Sequence, residues 1–426
     1  MSDKPGLHLE TLAISHGYDP QSGQGAAKPP IYATSTFVYR SAQQAKDIHE
    51  AFFDGPDTDG ARRIAGEPQA YIYGRLGHPN LTMVEARLCA LDRGEDSAVF
   101  NSGMSAITTT LMTFVRPGDT IVHSRPIYGG TDNFLHNVLP EFGVSPFGFA
   151  DGLSEASIQD ALDRAMAHGP IGVIWLESPA NPTAAIVDIA LVARLAKAVE
   201  DKQGRKPIIV VDNTFLGPLL QSPLAEGADL CMTSLTKYCA GHSDMLAGGV
   251  SGSKELIASL KIMRTLKGAH LDAQTAWLLL RSFETLPLRT ERACSNALKI
   301  ASYLREHPKV AGVTYLGFRD EPEAVALMAR QSRGTGSTFS VRLKGGEAEC
   351  FRFLDRLQVM RLAVSLGGTE TLICHSATTT HYNVPKASRE AAGITDATMR
   401  LSVGLEHPDD LIAAAVPAEP APMIRT

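Results

Sequence analysis

Short apolar runs, each ending in a polar cluster, set the rhythm of the central chain: Ser97-Ala98-Val99-Phe100, Thr120-Ile121-Val122-His123, Gly172-Val173-Ile174-Trp175-Leu176 and Pro207-Ile208-Ile209-Val210-Val211. The longer runs are continuous rather than alternating, which predicts strands buried on both faces of a largely parallel sheet. Helical spacing fills the intervals, as in Val84 to Leu91, and Asn101-Ser102-Gly103-Met104-Ser105-Ala106-Ile107 opens a further helix. Residues 1–70 lack this rhythm; they are rich in Gly, Pro, Ser and Asp and are expected to form an arm that packs on something else. Past Glu284-Thr285-Leu286-Pro287, the helical pattern Arg292 to Glu306 carries the chain into a smaller domain, with Ser337 to Leu343 as one of its strands. The expected division is therefore an arm over 1–70, a large α/β domain over 71–286 and a smaller α+β domain over 287–426, whose Ala/Pro-rich tail from Ala413 to Thr426 should fray.

Composition narrows the function classes. A chain of 426 residues exceeds one ordinary core. With 40 basic against 46 acidic residues and a net charge of −6, there is no basic surplus to hold nucleic acid or an anionic membrane. No apolar run is long enough to span a bilayer, and Met1 to Gly6 lacks a signal-peptide core, so a cytoplasmic protein is expected. The six cysteines are scattered, none in Cys-x-x-Cys, which favours reduced structural thiols over disulfides or a metal site.

In open α/β sheets, ligands gather at the carboxyl ends of the strands. There this chain places Gly103 and Met104 at a helix start, suited to a phosphate or simply to a tight turn. It also places Tyr128, then Asn181 after a proline-fixed turn, then Asp212 after four apolar residues. Asp212 needs a partner to stay charged, unless it merely caps the next helix. Further on, Ser234-Leu235-Thr236-Lys237 delivers an amine. An amine for a Schiff base and an acid for a ring nitrogen are what pyridoxal 5'-phosphate requires. The same four residues also read as Ser-x-x-Lys, the nucleophile motif of penicillin-recognising enzymes, but the Ser-Asp-Asn and Lys-Thr-Gly companions are absent.

These blocks, together with His16-Gly17-Tyr18, Pro29 to Phe37, Tyr71-Ile72-Tyr73-Gly74-Arg75, Gly241-His242-Ser243-Asp244 and Arg400 to Glu406, resemble the Cys/Met-metabolism family of pyridoxal-phosphate enzymes over nearly the whole length. The resemblance implies an aminotransferase type I fold and γ-elimination or γ-replacement on a γ-substituted L-amino acid. It implies that Lys237 forms the Schiff base, Asp212 holds the ring-nitrogen proton and Tyr128 stacks on the ring. Ser234, Thr236, Gly103 and Met104 would bind the phosphate, with Tyr73 and Arg75 reaching the phosphate of a neighbouring subunit. The arm would contact that neighbour, and active dimers would pair into a homotetramer. Arg400, Asn181 and Ser365 would hold the substrate carboxylate, an arginine fork being suited to two hydrogen bonds.

Within the family, enzymes that handle cystathionine commonly carry Glu where this chain has Val364, so the pattern is closer to methionine γ-lyase. Two positions depart from that type: Gly130 stands where a Cys is typical, and Arg264-Thr265-Leu266-Lys267-Gly268-Ala269 replaces a segment bearing a Lys-Asp pair. Asp132, His270 and Asp272 are expected as capping or exposed residues, or else as recognition groups for a polar γ substituent such as that of canavanine. Cystathionine γ-synthase or O-acylhomoserine sulfhydrylase chemistry is the other alternative.

Overall fold

The apolar runs do form a buried sheet. In the computed structural model, which describes residues 7–55, 57–66 and 70–415, seven strands build it: β1 (Asp96–Phe100), β2 (Thr120–Ser124), β3 (Ser145–Phe149), β4 (Ile171–Glu177), β5 (Ile208–Asp212), β6 (Leu230–Thr233) and β7 (Gly248–Gly252). Their spatial order is β1-β7-β6-β5-β4-β2-β3, and β7 alone runs against its neighbours. Every residue of β2 and β4 is buried, as continuous apolar runs demand. Trp175 and Val210 pack into one face with Ile107, Leu111 and Leu260, while Ile174, Leu176 and Val211 pack into the other with Leu162, Val192 and Leu195. Each such side chain, fully removed from water, contributes roughly 1.5–3 kcal/mol.

Strand β7 has no apolar run to announce it because its glycines serve close packing. A Cβ on Gly249 would sit 2.4 Å from Leu88 Cδ2, and one on Gly248 would sit 2.4 Å from Ser102 O. Helices therefore press directly on this backbone, which fixes the helix Gly103–Phe114 against the sheet.

The helix Leu286–Glu306 carries Pro287 in its first turn, where a missing N–H costs nothing. Leu286 joins the core around Leu88 and Phe283, whereas Ile300 and Leu304 join the core of a second sheet. That sheet contains β8 (Val310–Thr314), β9 (Thr338–Leu343), β10 (Arg361–Leu362), β11 (Leu372–His375) and β12 (Thr398–Ser402), in the order β10-β11-β12-β9-β8. Only the β10–β11 pair is parallel. A large, mostly parallel sheet unit, a smaller α+β unit and an N-terminal arm make up the architecture that the resemblance implies.

The start of the arm packs on its own chain: Ala13 and Tyr18 share a core with Leu81, Val84 and Phe283, and Trp277 Nε1 donates to Pro29 O at 2.9 Å. The exposed apolar side chains lie further along, with Val38 at 95 % and Phe53 at 65 % exposure. At the other end, Ala413 does not begin a frayed tail but belongs to the helix Pro408–Ala415, anchored by the fully buried Leu411. Residues 416–426 lie outside the described residues.

Candidate active site

Because the parallel strands share a direction, the turns after β1, β2, β4, β5 and β6 converge on one edge. The small unit closes over that edge with the turn after β10 and with β12, leaving a cavity of about 680 Å³. Gly103, Met104, Tyr128, Asn181, Asp212, Ser234, Thr236, Lys237, Val364, Ser365 and Arg400 all line it.

Lys237 Nζ donates to Ser365 Oγ at 2.9 Å. Burial, and secondarily the positive charge of Arg400, pull its amine down to about 8, which makes the uncharged form easier to reach than for a free lysine. Ser365 has φ +83°, a left-handed conformation unusual for a residue with a side chain. At the carboxyl end of β1, Ser102 caps the helix Gly103–Phe114 through Ser105 N, and the helix start faces Ser234. A Cβ on Gly103 would lie 2.7 Å from Ser234 Oγ, so only glycine leaves this cradle open. Ser234 N donates to Thr214 Oγ1 at 2.8 Å, tying the turn after β6 to the turn after β5. The Thr236 hydroxyl is engaged with the backbone of Ala247, donating at 3.1 Å and accepting at 3.0 Å.

Asp212 ends β5 and is not a helix cap; its Oδ1 accepts from Thr214 N at 3.0 Å. Burial raises its pKa. Directly opposite in register stands Glu177, at the end of β4. From the sequence alone Glu177 has no assigned role; the carboxylate at the end of an apolar run is visible there, but its pairing with Asp212 is not. Burial and then the Asp212 charge push Glu177 up to about 8. Its two oxygens accept from Asn181 N at 2.9 Å and from Tyr128 N at 2.5 Å. Among the described residues neither acid has an ion-pair partner. The Tyr128 phenol is raised by burial and by both acids.

Arg400, in the middle of β12 and 2 % exposed, completes the constellation. Its Nη1 donates to Asn181 Oδ1 at 3.1 Å, its Nη2 donates to Ser365 O, and its buried Nε has no partner. A buried guanidinium that is not fully hydrogen-bonded, on a residue that lines the cavity, is suited to a carboxylate.

Other candidates fall elsewhere. Tyr73 and Arg75 do not line this chain's own cavity; Arg75 lies over the Tyr73 ring and donates to Thr265 O at 3.0 Å. Asp132 lines the cavity and faces His136 at 3.5 Å. Asp272 is a helix cap, accepting from Gln274 N and Thr275 N at 2.9 Å each. His270 forms a bridge to Phe100 and stays off the cavity wall. Arg264 turns away from the site to a buried pairing with Glu85. Gly130 lines the cavity close to two side chains: an added Cβ would meet Tyr128 Cε1 at 2.6 Å and Met104 Sδ at 2.9 Å, so a larger residue here would shift one of them.

A sequence profile of the Cys/Met metabolism PLP-dependent enzymes matches residues 10–415. The chain belongs to that family. It is 40 % identical to an L-methionine gamma-lyase of Pseudomonas putida over 405 residues, 95 % of each chain. It is 36 % identical to a cystathionine beta-lyase of Coxiella burnetii over 406 residues, 95 % of this chain and 96 % of the other. The crystal structure of a cystathionine gamma synthase from Xanthomonas oryzae pv. oryzae, in complex with aminoacrylate and cysteine, superposes with a TM-score of 0.84 at 33 % identity, covering 96 % of this chain and 97 % of that one. Membership in the Cys/Met-metabolism family brings pyridoxal phosphate as cofactor, and the site fits it: a glycine-only cradle at a helix start, an uncompensated buried acid and a buried amine face one cavity. No helix among the described residues is long and apolar enough to cross a membrane.

Proposed function

We propose that this chain cleaves or exchanges the γ substituent of an L-amino acid in the manner of a methionine γ-lyase. The observation that carries the reading is that Lys237, the Asp212–Glu177 acids and the buried, partly unpartnered Arg400 line one cavity. When bound there, pyridoxal phosphate supplies the electron sink that makes loss of a Cα proton feasible. Arg400, oriented by Asn181 and the Ser365 carbonyl, holds the substrate α-carboxylate. Lys237, with an amine already drawn down to about 8, takes the Cα proton and carries protons onward to neighbouring atoms. Asp212 keeps the proton on the ring nitrogen in place, and Ser234 with the amides of Gly103 and Met104 receives the phosphate. The Tyr128 phenol, held protonated by its surroundings, is the donor to the departing γ group. Tyr73 and Arg75 serve the site of a second copy, which makes an active dimer the smallest unit and a homotetramer the expected assembly.

Val364 faces the same cavity as Ile107, Phe215 and Leu246, an apolar wall that suits a thioether and offers nothing to a distal ammonium. One observation favours a second reading: Asp132 also lines the cavity, so a cationic or polar γ substituent, as in canavanine, has a carboxylate to meet. Product analysis on methionine, O-acetylhomoserine, cystathionine and canavanine, with and without an added thiol, decides among these. Release of 2-oxobutanoate and ammonia from methionine, with cystathionine poor, is the expected result. Preference for canavanine transfers the assignment to the second reading, thioether formation from the acyl ester with thiol indicates replacement, and preference for cystathionine overturns the reading of Val364.

A further inference from the structure

A second cavity, of about 390 Å³, opens in the small unit and shares no lining residue with the active site. Its floor is apolar and buried: Val341 from β9, Ile373 from β11, and Met399 and Leu401 from β12 are each at most 3 % exposed. Its mouth is cationic. Lys309, Lys344, Arg352 and Arg356 line it, against the single carboxylate of Glu349, in a chain whose net charge is −6. Glu349 is already engaged, by Arg352 and by Gly346 N at 2.7 Å. Lys309, Lys344 and Arg356 have no ion-pair partner among the described residues. A backbone hydrogen bond, Lys344 N to Lys309 O at 2.9 Å, holds two of these like charges side by side. Like charges on neighbouring strand ends repel unless something negative lies between them.

We infer that this cavity binds an amphiphilic carboxylate, with the alkyl chain on the Val341, Ile373, Met399 and Leu401 floor and the carboxylate among Lys309, Lys344 and Arg356. Inorganic anions satisfy the mouth but leave the apolar interior of the cavity unfilled, and neutral lipids do the reverse. A medium-chain alkyl carboxylate matches both parts in a volume within the ordinary range of small-molecule sites.

Calorimetric titration of the holoenzyme with decanoate, decanol and acetate tests this. Decanoate is expected to bind, with decanol and acetate each weaker by roughly tenfold or more, since each lacks one of the two matched parts. The exposed pair Lys309→Gln with Arg356→Gln should weaken decanoate roughly five- to thirty-fold while turnover of the amino-acid substrate stays unchanged. Absence of decanoate binding, equal affinity for decanol, or an unaltered double variant would overturn the assignment. So would displacement of decanoate by the amino-acid substrate, which would place it in the active-site cavity.

Discussion

Glu85 and Glu177 are both buried glutamates on the large sheet unit, and their surroundings drive them in opposite directions. Burial alone would raise Glu85, but Arg264 and Lys261 outweigh it and hold the carboxyl below its ordinary range. One Glu85 oxygen accepts from Arg264 Nη1 and from Val99 N at 3.0 Å, and the other lies 3.2 Å from Lys261 Nζ. Glu177 has no such cation; burial and the facing Asp212 raise it to about 8. In the same cavity Lys237 is lowered by burial and by Arg400. A compensated acid completes the fold. Two buried acids with no cation of their own, in a cavity that also holds Lys237 and the buried Arg400, leave places for a protonated pyridine ring beside the acids and for an amino-acid carboxylate beside the guanidinium.

Breaking the catalytic half of this comparison should have the largest effect. Lys237→Ala is expected to cut turnover on the order of 10⁴-fold, because it removes the proton carrier of the proposed reaction, with the thermal midpoint little changed; steady-state ketoacid release and a melting curve check both. On the structural half, Glu85→Gln leaves Arg264 buried without its counter-charge and should cost about 3–5 kcal/mol in denaturant unfolding, while the folded fraction keeps its kcat. Glu177→Gln lies between the two. Its amide accepts only one of the two N–H groups from Tyr128 and Asn181, so a loss of about tenfold in kcat/KM is expected, much of it in KM through the Asn181–Arg400 contact. The smallest effect concerns Asp92, another uncompensated acid, raised to about 7 by burial and bonded by Ser251 Oγ at 2.6 Å. The folded chain keeps this proton up to about 7, whereas the unfolded chain releases it near 3.8. Its contribution to stability is thus full below the unfolded value and is lost as pH rises through 7. The melting temperature should fall between about pH 5 and about pH 8 more steeply in the native chain than in Asp92→Asn.

Much of this was legible because the large sheet is buried on both faces: continuous runs ending at Phe100, His123, Leu176 and Val211 located strands to within a residue or two. Their ends in turn located Gly103, Tyr128, Asn181 and Asp212 in one cavity. Strand β7 escaped because Gly248 and Gly249 are selected for helix contact rather than burial of side chains. Glu177 escaped because its effect depends on register with Asp212, which no spacing along the chain reveals. Asp132 and Asp272 read alike as short acidic residues, yet one lines the cavity and the other caps a helix. That distinction belongs to tertiary structure alone.

The account rests on the claim that the Asp212–Glu177 pair is unfavourable until a positive ring lies against it. The most direct measurement is the melting temperature of the cofactor-free protein and of Asp212→Asn, each with and without added pyridoxal phosphate, at about pH 8. The account predicts that the cofactor-free variant melts at least as high as the native chain, since one buried acid of a repelling pair has gone, and that most of the gain on adding pyridoxal phosphate disappears. A cofactor-free variant destabilised on the scale expected for Glu85→Gln, with the gain from pyridoxal phosphate intact, would contradict it.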